Sequence, residues 1–227
     1  MEKHTVNVPD VEGFARPRTR RDFFKTLAAA SVGAAAGTTL LTSKAFAQGG
    51  GDADIFNFAL TLEFLERDFY QMALDAGVLS GDALGVVTNL RDHEAAHVDA
   101  ITAALQGAGA TPVAKPEFTF PPDAVSSQAS ILNLAATLEP VGVGAYLGAG
   151  PMIQSPDLLE AAGTIAGVEG DHVVAVNNLL GVVPPANTAF AQALTKDQVL
   201  AAIAPFLGMG GSGGGRREMP KTGGPGA

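Results

Sequence analysis

The chain contains no cysteine and no tryptophan, and only two of its 227 residues are tyrosine. Without cysteine there is no disulfide bond and no thiolate ligand, so any bound metal must be held by carboxylate and imidazole groups. Basic side chains are also scarce, because 14 Lys and Arg stand against 23 Asp and Glu. An acidic surface disfavours binding to nucleic acid or to anionic membranes. The apolar share of 47% suits one globular domain with extensions.

The N-terminal segment resembles a bacterial export signal. Arg20 and Arg21 precede a mildly apolar stretch rich in Ala and Gly, which ends with Ala45 and Ala47 at the A-x-A spacing of a cleavage site. The pattern resembles a twin-arginine signal, and the stretch is short and weakly apolar for the alternative, a membrane anchor. The resemblance implies export through the twin-arginine pathway to the periplasm or the extracellular space, with no stable membrane anchor after cleavage of residues 1–47.

Removal of residues 1–47 makes the chain more acidic. That segment holds seven of the 14 basic and four of the 23 acidic side chains, which leaves 7 against 19 and a formal net charge of −12. Three histidines remain in the rest of the chain: His93, His97 and His172.

Apolar periodicity and capping signals predict one helical domain. Residues 48–53 and 208–227 are rich in Gly and are predicted to be flexible, which leaves 54–207 as the folded part. Four long helices are predicted at about 54–76, 83–106, 126–148 and 156–180, with a shorter fifth helix ending near Leu207. A long, Pro-rich connection joins the second and third helices, whereas the other two connections between long helices are short. This pattern is typical of an all-α four-helix bundle with one long crossover.

Two of the three remaining histidines follow a glutamate by three residues. Glu94 precedes His97 and Glu169 precedes His172, each pair within a predicted helix. Positions i and i+3 lie on one helix face, so both side chains of a pair can reach a single point. The repetition of this spacing indicates metal-ligating groups.

The other two long helices each carry a glutamate and a tyrosine seven residues apart. Glu63 precedes Tyr70, and Glu139 precedes Tyr146. Seven residues make about two helical turns, so each pair shares a face. The next Glu-x-x-His motif follows the glutamate after 31 residues in the first half and 30 in the second. The chain therefore repeats one pattern of Glu, Tyr and Glu-x-x-His.

This repeated pattern resembles the ferritin-like superfamily. Dinuclear sites of that type take one Glu from each of two helices and a Glu-x-x-His motif from each of the other two. The local sequences NFALTLEFLERDFY and VGVGAYLGAG also resemble exported ferritin-like proteins related to plant desiccation-related proteins. The resemblance covers about residues 54–181 and implies a ferritin-like bundle. It also implies six metal ligands: Glu63, Glu94, His97, Glu139, Glu169 and His172.

The expected cofactor is a pair of Fe or Mn ions. Six ionisable groups facing the centre of an apolar bundle would be costly without compensating charge. Two divalent cations would neutralise four carboxylates, and two neutral imidazoles would complete the coordination. Oxygen-rich ligation with two imidazoles and no sulfur suits Fe or Mn better than Cu(I) or a structural Zn ion.

Four further side chains have open roles. Glu66 shares a helix face with Glu63 and is the rival ligand. The repeat favours Glu63, which leaves Glu66 beside the ligands or exposed. His93 lies one turn before His97 and could reach the same metal region, but the six-ligand set is already complete, which favours a role behind the ligands or at the surface. Tyr70 and Tyr146 either hydrogen-bond the ligands, donate an electron during oxidation, or pack in the core.

Two departures from the usual pattern concern the site. Many ferritin-like sites have an Asp directly before the ligand Glu, whereas His93 and Val168 hold those positions here. Pro140 directly follows Glu139, and a proline inside a helix removes one backbone hydrogen bond and disfavours helical geometry at the preceding residue. Either the helix kinks there, which is the expectation, or Glu139 is misplaced.

The first functional hypothesis is a redox enzyme of stress protection, which the intact ligand set favours, whereas the desiccation-related resemblance favours a non-catalytic role. A reduced dimetal centre would react with O2 or peroxide in ferroxidase, peroxidase or manganese-catalase chemistry. The alternative is a non-catalytic, desiccation-related envelope protein that keeps the bundle for structure or interaction. Iron storage in a hollow shell is disfavoured by the flexible ends, the long crossover and export, although a smaller homo-oligomer remains compatible with the sequence.

Overall fold

The computed structural model describes residues 51–185 and 188–208. The predicted signal peptide lies outside these ranges, together with Arg20, Arg21, Ala45 and Ala47. The described residues form five α-helices and no strand, which confirms the all-α prediction. The helices are α1 (Asp52–Asp75), α2 (Gly81–Gly107), α3 (Gln128–Ala149), α4 (Pro156–Leu179) and α5 (Lys196–Ile203).

The bounds of the four long helices lie within two residues of the predicted ones. Ser155 accepts a hydrogen bond from the Leu158 N–H at the start of α4, and Thr195 forms a reciprocal capping box with Gln198 at the start of α5. α1 begins at Asp52, inside the stretch predicted to be flexible. The buried Asp52 carboxylate accepts the N–H groups of residues 154 and 155, each at 2.8 Å, and so joins the beginnings of α1 and α4.

The four long helices form two hairpins. α1 packs chiefly against α2 and α3 against α4, while the hairpins meet through α1–α3 and α2–α4 contacts. The turn between α1 and α2 uses Gly77 and Gly81 at φ of 67° and 55°, which favour glycine. Residues 108–127 form the long crossover, which the side chain of Asn57 fixes to α1 through the backbone of Thr111 and Val113. α5 packs against α3.

α3 is the most apolar helix, and it runs continuously through Pro140. Gln128–Met152 is long and apolar enough to cross a membrane by length and composition alone, yet half of its apolar window is buried in the bundle, as in a core helix. Pro140 is exposed, so water can reach the backbone where the proline removes a hydrogen bond. Glu139 points into the bundle and is fully buried, so the proline does not displace it.

Two apolar clusters fill the bundle on either side of a polar layer. The first apolar cluster includes Leu65, Phe69, Tyr70, Leu132 and Ile203. The second apolar cluster includes Phe56, Leu60, Ile101, Tyr146 and Ile165. In α2, α3 and α4 the candidate ligands lie between the buried residues of one cluster and those of the other, and in α1 Glu63 lies where the two sets meet. The bundle therefore encloses the polar layer in apolar packing.

Candidate metal centre

The structure brings all six candidate ligands together in the polar layer. The four glutamates are fully buried, and the two histidines are 8% and 2% exposed. Each of the four long helices contributes, because each places its Glu or its Glu-x-x-His pair on the inward face. The six residues are Glu63, Glu94, His97, Glu139, Glu169 and His172.

Four of these residues surround the first candidate metal position. One ligand atom each from Glu63, Glu94, His97 and Glu169 lies within 4.8 Å of the others. The His97 Nδ1 atom is 3.1 Å from Glu63 Oε2 and 3.0 Å from Glu94 Oε2. The same nitrogen is 3.2 Å from Glu169 Oε1. Three carboxylates and one imidazole thus face a common point, which we call the His97 position.

The second candidate position has the same composition. Glu94, Glu139, Glu169 and His172 again offer ligand atoms within 4.8 Å of one another. The His172 Nδ1 atom is 2.9 Å from Glu94 Oε1, 3.2 Å from Glu139 Oε2 and 3.7 Å from Glu169 Oε2. We call this the His172 position.

Glu94 and Glu169 belong to both positions. Each of these carboxylates turns one oxygen toward His97 and the other toward His172. Glu63 serves only the His97 position, and Glu139 serves only the His172 position. Two shared and two unshared carboxylates, with one imidazole at each end, form the donor arrangement of a dinuclear centre.

Buried polar atoms without partners fit a cation. Among the described residues, Glu94 Oε1, Glu139 Oε2, both carboxylate oxygens of Glu169 and His172 Nδ1 make no hydrogen bond. Some of these atoms are close to each other, but their directions do not suit hydrogen bonding. Buried polar groups are normally satisfied, so such a set calls for an ion or another partner at its centre. The residues present therefore fit a bound metal.

Each tyrosine hydroxyl donates a hydrogen bond to a carboxylate of the other hairpin. Tyr70 in α1 donates to Glu139 Oε1 in α3, and Tyr146 in α3 donates to Glu63 Oε1 in α1. Burial and then the adjacent carboxylate raise the pKa of both phenols well above the usual 10. The phenols therefore keep their protons. Each hydroxyl holds one oxygen of its glutamate and leaves the other directed at a histidine.

Without metal, protons on the histidines balance the carboxylates. Burial alone would lower the pKa of His97 and His172, but the surrounding carboxylates outweigh it and raise both values to about 12. Burial would likewise raise the pKa of Glu169, yet the two adjacent histidine rings lower it to about 2. Two imidazolium groups thus supply the positive charge that metal cations would otherwise provide.

Two other candidate ligands, Glu94 and Glu139, partly retain protons. Burial, followed by repulsion from Glu169, raises the pKa of Glu94 to about 8. Burial also raises the pKa of Glu139, to about 7, against the lowering effect of His172. So many buried carboxylates cannot all be charged unless positive charge enters the site.

Glu66 is a fifth buried carboxylate beside the six residues. It is 3% exposed, which excludes the exposed alternative, and its Oε2 atom has no hydrogen-bond partner among the described residues. Burial and then repulsion from Glu169 and Glu139 raise its pKa well above the usual value. It does not belong to either four-residue group. Gly142 holds the matching position of α3, and a Cβ atom there would be 3.2 Å from Glu66 Oε1. The glycine leaves space for the Glu66 side chain, so its place in the repeat is the sequence feature that indicates a buried Glu66.

His93 contacts one of the candidate ligands from behind. Its Nδ1 atom is 3.0 Å from His172 Nε2, on the side of the ring that faces away from the carboxylates. The two rings stack with their centroids 5.2 Å apart. His93 thus takes the supporting role that an Asp holds in many related sites, whereas Val168 offers no polar group to His97.

A small apolar cavity lies next to Tyr146. It has a volume of about 20 Å³, and its walls come from α1, α3, α4 and the connection between α3 and α4, with Phe56, Leu62, Ala145 and Ile153 among them. Tyr146 lines this cavity and also donates a hydrogen bond to Glu63. An apolar void of this size suits a small uncharged molecule.

The comparison with protein families agrees with this architecture. The model of the ferritin-like domain matches residues 51–182, which include all four long helices and every candidate ligand. No curated protein matches the chain significantly. The helical bundle, the buried Glu and His residues and the family match together show that the chain belongs to the ferritin-like domain family.

Proposed function

We propose that the protein binds a dinuclear Fe or Mn centre and uses it for redox chemistry with O2 or peroxide. The observation that carries the proposal is the pair of overlapping ligand groups, which share Glu94 and Glu169 in a fully buried layer. Glu63 and His97 would complete one metal position, and Glu139 and His172 the other. Carboxylate and imidazole ligands without sulfur favour Fe or Mn.

When bound, two such ions supply electrons and a Lewis-acidic surface for O2 or peroxide. The residues of the chain exclude water, because an apolar cluster closes the layer on each side. Tyr70 and Tyr146 donate hydrogen bonds to the outer carboxylate oxygens and thereby orient Glu139 and Glu63. Because each phenol contacts a candidate ligand directly, we also propose both as electron donors during oxidation.

The surroundings of the site favour a small substrate. The cavity beside Tyr146 has an almost entirely apolar lining, which suits dioxygen better than a charged or strongly polar molecule. Peroxide is also a proposed substrate, because the polar layer offers it hydrogen-bond donors and acceptors.

We also infer a role in stress protection outside the cytoplasm. The twin-arginine pattern around Arg20 and Arg21 supports export to the periplasm or beyond. The net negative charge of the rest of the chain disfavours a nucleic-acid partner. A homo-oligomer is compatible with this function.

Metal content tests the proposal directly. The protein is purified without chelator and measured by elemental mass spectrometry beside a Glu94→Ala, Glu169→Ala double variant. The matched control is a Glu117→Ala, Glu160→Ala double variant, which removes two carboxylates from the surface. We expect about two Fe or Mn ions per chain in the protein and the control, and loss of metal from the Glu94 and Glu169 variant.

Activity assays then separate the redox proposal from its alternative. The metal-loaded protein is mixed with ferrous iron and O2, and separately with hydrogen peroxide. Turnover in either assay supports the enzyme. Bound metal without turnover would favour the non-catalytic, desiccation-related envelope protein, and absence of metal even after anaerobic reconstitution would contradict both the centre and its chemistry.

A further inference from the structure

The internal repeat gives a baseline for comparing the two metal positions. It relates α1 and α2 to α3 and α4, so that each candidate ligand of one position has a counterpart at the other. Glu63 corresponds to Glu139, and His97 to His172. If every nearby residue obeyed the repeat, the two positions would bind metal equally. Two residues of the chain have no equivalent counterpart in the repeat, and both lie at the His172 position.

Glu66 is the first of these residues. It follows Glu63 by three residues, and the matching residue after Glu139 is Gly142, which has no side chain. A Cβ atom on Gly142 would be 3.2 Å from Glu66 Oε1 and 3.0 Å from Glu169 Oε2. The glycine therefore makes room for the additional carboxylate.

The oxygen of Glu169 next to this space identifies the position that Glu66 serves. Glu169 Oε2 is the oxygen directed at His172, whereas its Oε1 is directed at His97. Since Glu66 Oε1 and Glu169 Oε2 approach the same point, Glu66 belongs to the His172 side of the layer.

All but one of the atoms without hydrogen-bond partners lie on the same side, and the exception is Glu169 Oε1, which faces His97. The four ligand atoms of the His172 position make no hydrogen bond among the described residues, and neither does Glu66 Oε2. The His97 position differs, because its imidazole nitrogen is hydrogen-bonded to Glu63 and Glu94. Four unsatisfied ligand atoms around one point, with the buried Glu66 beside them, call for a cation more strongly than a group partly closed by internal hydrogen bonds.

His93 is the second of these residues. When His172 Nδ1 faces a cation, its Nε2 carries the proton and donates to His93 Nδ1, 3.0 Å away. A hydrogen bond of this kind fixes the ring and makes it a better ligand. Val168, the counterpart of His93 in the repeat, cannot do the same for His97.

We propose that the two metal positions are unequal: the His172 position binds a divalent cation first, with Glu66 as an additional carboxylate ligand and His93 orienting His172. This inference rests on the proposed dinuclear centre and adds an order of filling to it. More carboxylate ligands at a position raise its affinity for hard divalent cations.

A manganese titration tests the order of filling. Metal-free full-length protein is titrated with Mn²⁺ under anaerobic conditions and followed by calorimetry and electron paramagnetic resonance. We expect two binding steps that differ at least about tenfold in affinity, since loss of one supporting group already changes metal affinity about 10–100-fold. At one equivalent, nearly all Mn²⁺ should give the signal of isolated ions, and the coupled two-ion signal should develop only with the second equivalent.

Two variants assign the first step to its residues. Glu66→Gln keeps the shape of the side chain and removes its charge, and His93→Leu removes the acceptor behind His172 while leaving Glu66 intact. Each should weaken the first step about 10-fold or more and leave the second within about twofold. Glu160→Gln, on the surface of α4, is the matched control and should change neither step. Since His93 is only half-buried, its variant provides the test if the Glu66 variant fails to fold.

The possible outcomes separate this inference from the proposed function. Two equal binding steps, or variants that weaken only the second step, would overturn the order of filling while leaving the dinuclear centre intact. Failure of the unaltered protein to bind Mn²⁺ would overturn both.

Discussion

Glu63 and Glu139 divide their carboxylate oxygens between two different partners. One oxygen of each accepts a hydrogen bond from a tyrosine, and the other faces a histidine. The tyrosines thereby fix the orientation of both carboxylates before any metal arrives. Such preorganised ligands lose less conformational freedom on binding.

Replacing Tyr70 or Tyr146 by Phe should destabilise the metal-free protein. The ring would still pack, but a buried carboxylate oxygen would lose its donor, at a cost of about 1–3 kcal/mol. The free energy of unfolding is measured with urea for each single variant. Because the two contacts are counterparts, we expect similar losses from both. A change below about 0.5 kcal/mol in either would show that the hydroxyl does not support its carboxylate.

The stability of the metal-free protein should decrease as pH rises from about 5 to 9. The pKa values of His97 and His172 are raised from 6.5 to about 12, and those of Glu94 and Glu139 from 4.5 to about 8 and 7. The folded state therefore holds more protons than the unfolded state. Stability from these groups is complete below the unfolded values and is lost as pH rises through the folded values. Glu169 acts in the opposite sense, because its pKa is lowered to about 2 and its contribution disappears as pH falls from 4.5 toward that value.

Urea unfolding at several pH values checks this dependence, with metal-loaded protein as the comparison. Metal requires deprotonated ligands, so the loaded protein should gain stability over the metal-free protein as pH rises, and loading should release protons. Equal slopes with and without metal would mean that these groups do not bind it.

Sequence periodicity predicted which side chains face the interior but not which ones touch. The i, i+3 and i, i+7 spacings place a Glu and its His or Tyr on one helix face, and all these faces meet in the polar layer. The partner across the interface depends on how the helices cross, and for this reason the exchange of tyrosines between hairpins was not evident. The burial of Glu66 stayed open for a similar reason, since it depends on the absent side chain of Gly142.

At the scale of elements, glycines on one face of α3 allow the segment before α5 to pack closely against this helix. The Leu194 N–H donates to the Gly144 carbonyl oxygen at 2.9 Å, so the segment before α5 lies directly on the helix. A Cβ atom on Gly148 would overlap the carbonyl group of Leu194. Glycine on this face therefore lets the chain leading to α5 pack against the helix that carries Glu139.

Gly148→Ala should destabilise the protein, whereas Gly163→Ala in α4 should not. The first methyl group would displace the backbone around Leu194, at a cost of about 1–3 kcal/mol for overpacking. The second would meet no atom within 4 Å, and it should stabilise its helix by about 0.5–1 kcal/mol. Thermal unfolding of both variants measures the difference. Equal effects would show that the close approach at Gly148 is not required.

The helices themselves could be predicted because their signals are local. The start of α4 follows from Ser155 and Pro156, and the start of α5 from the capping box of Thr195 and Gln198. The start of α1 could not, because Asp52 is held by backbone groups about a hundred residues away. Pro140 inside α3 also left the placement of Glu139 open in the sequence. In the structure Pro140 lies on the exposed side of the helix and Glu139 on the buried side.

At the scale of the whole molecule, the bundle carries a layer of ionisable groups between two apolar clusters. Removing charged groups from water costs several kcal/mol per ion unless they are well compensated. Imidazolium groups supply part of that compensation in the metal-free chain. Divalent cations should supply more, so we expect metal binding and folding to be coupled in this protein.

Metal loading should raise the midpoint of thermal unfolding. A cation present at about a hundredfold excess over its Kd adds about 2.7 kcal/mol, which corresponds to an increase of about 5–10 °C for a domain of this size. Calorimetry with and without Mn²⁺ measures the shift, and the Glu94→Ala, Glu169→Ala double variant should show none. An equal shift in that variant would assign the stabilisation to metal bound elsewhere.

The exchanged tyrosines make each hairpin incomplete on its own. Glu63 in the first hairpin needs the hydroxyl of Tyr146 in the second, and Glu139 needs that of Tyr70. A cut within the crossover at 108–127 would therefore produce two complementary fragments, each with a buried acceptor that only the other can satisfy. Such fragments should reassemble as an obligate pair rather than fold separately. The two halves of the chain would then recognise each other by the contacts that hold the carboxylates in place.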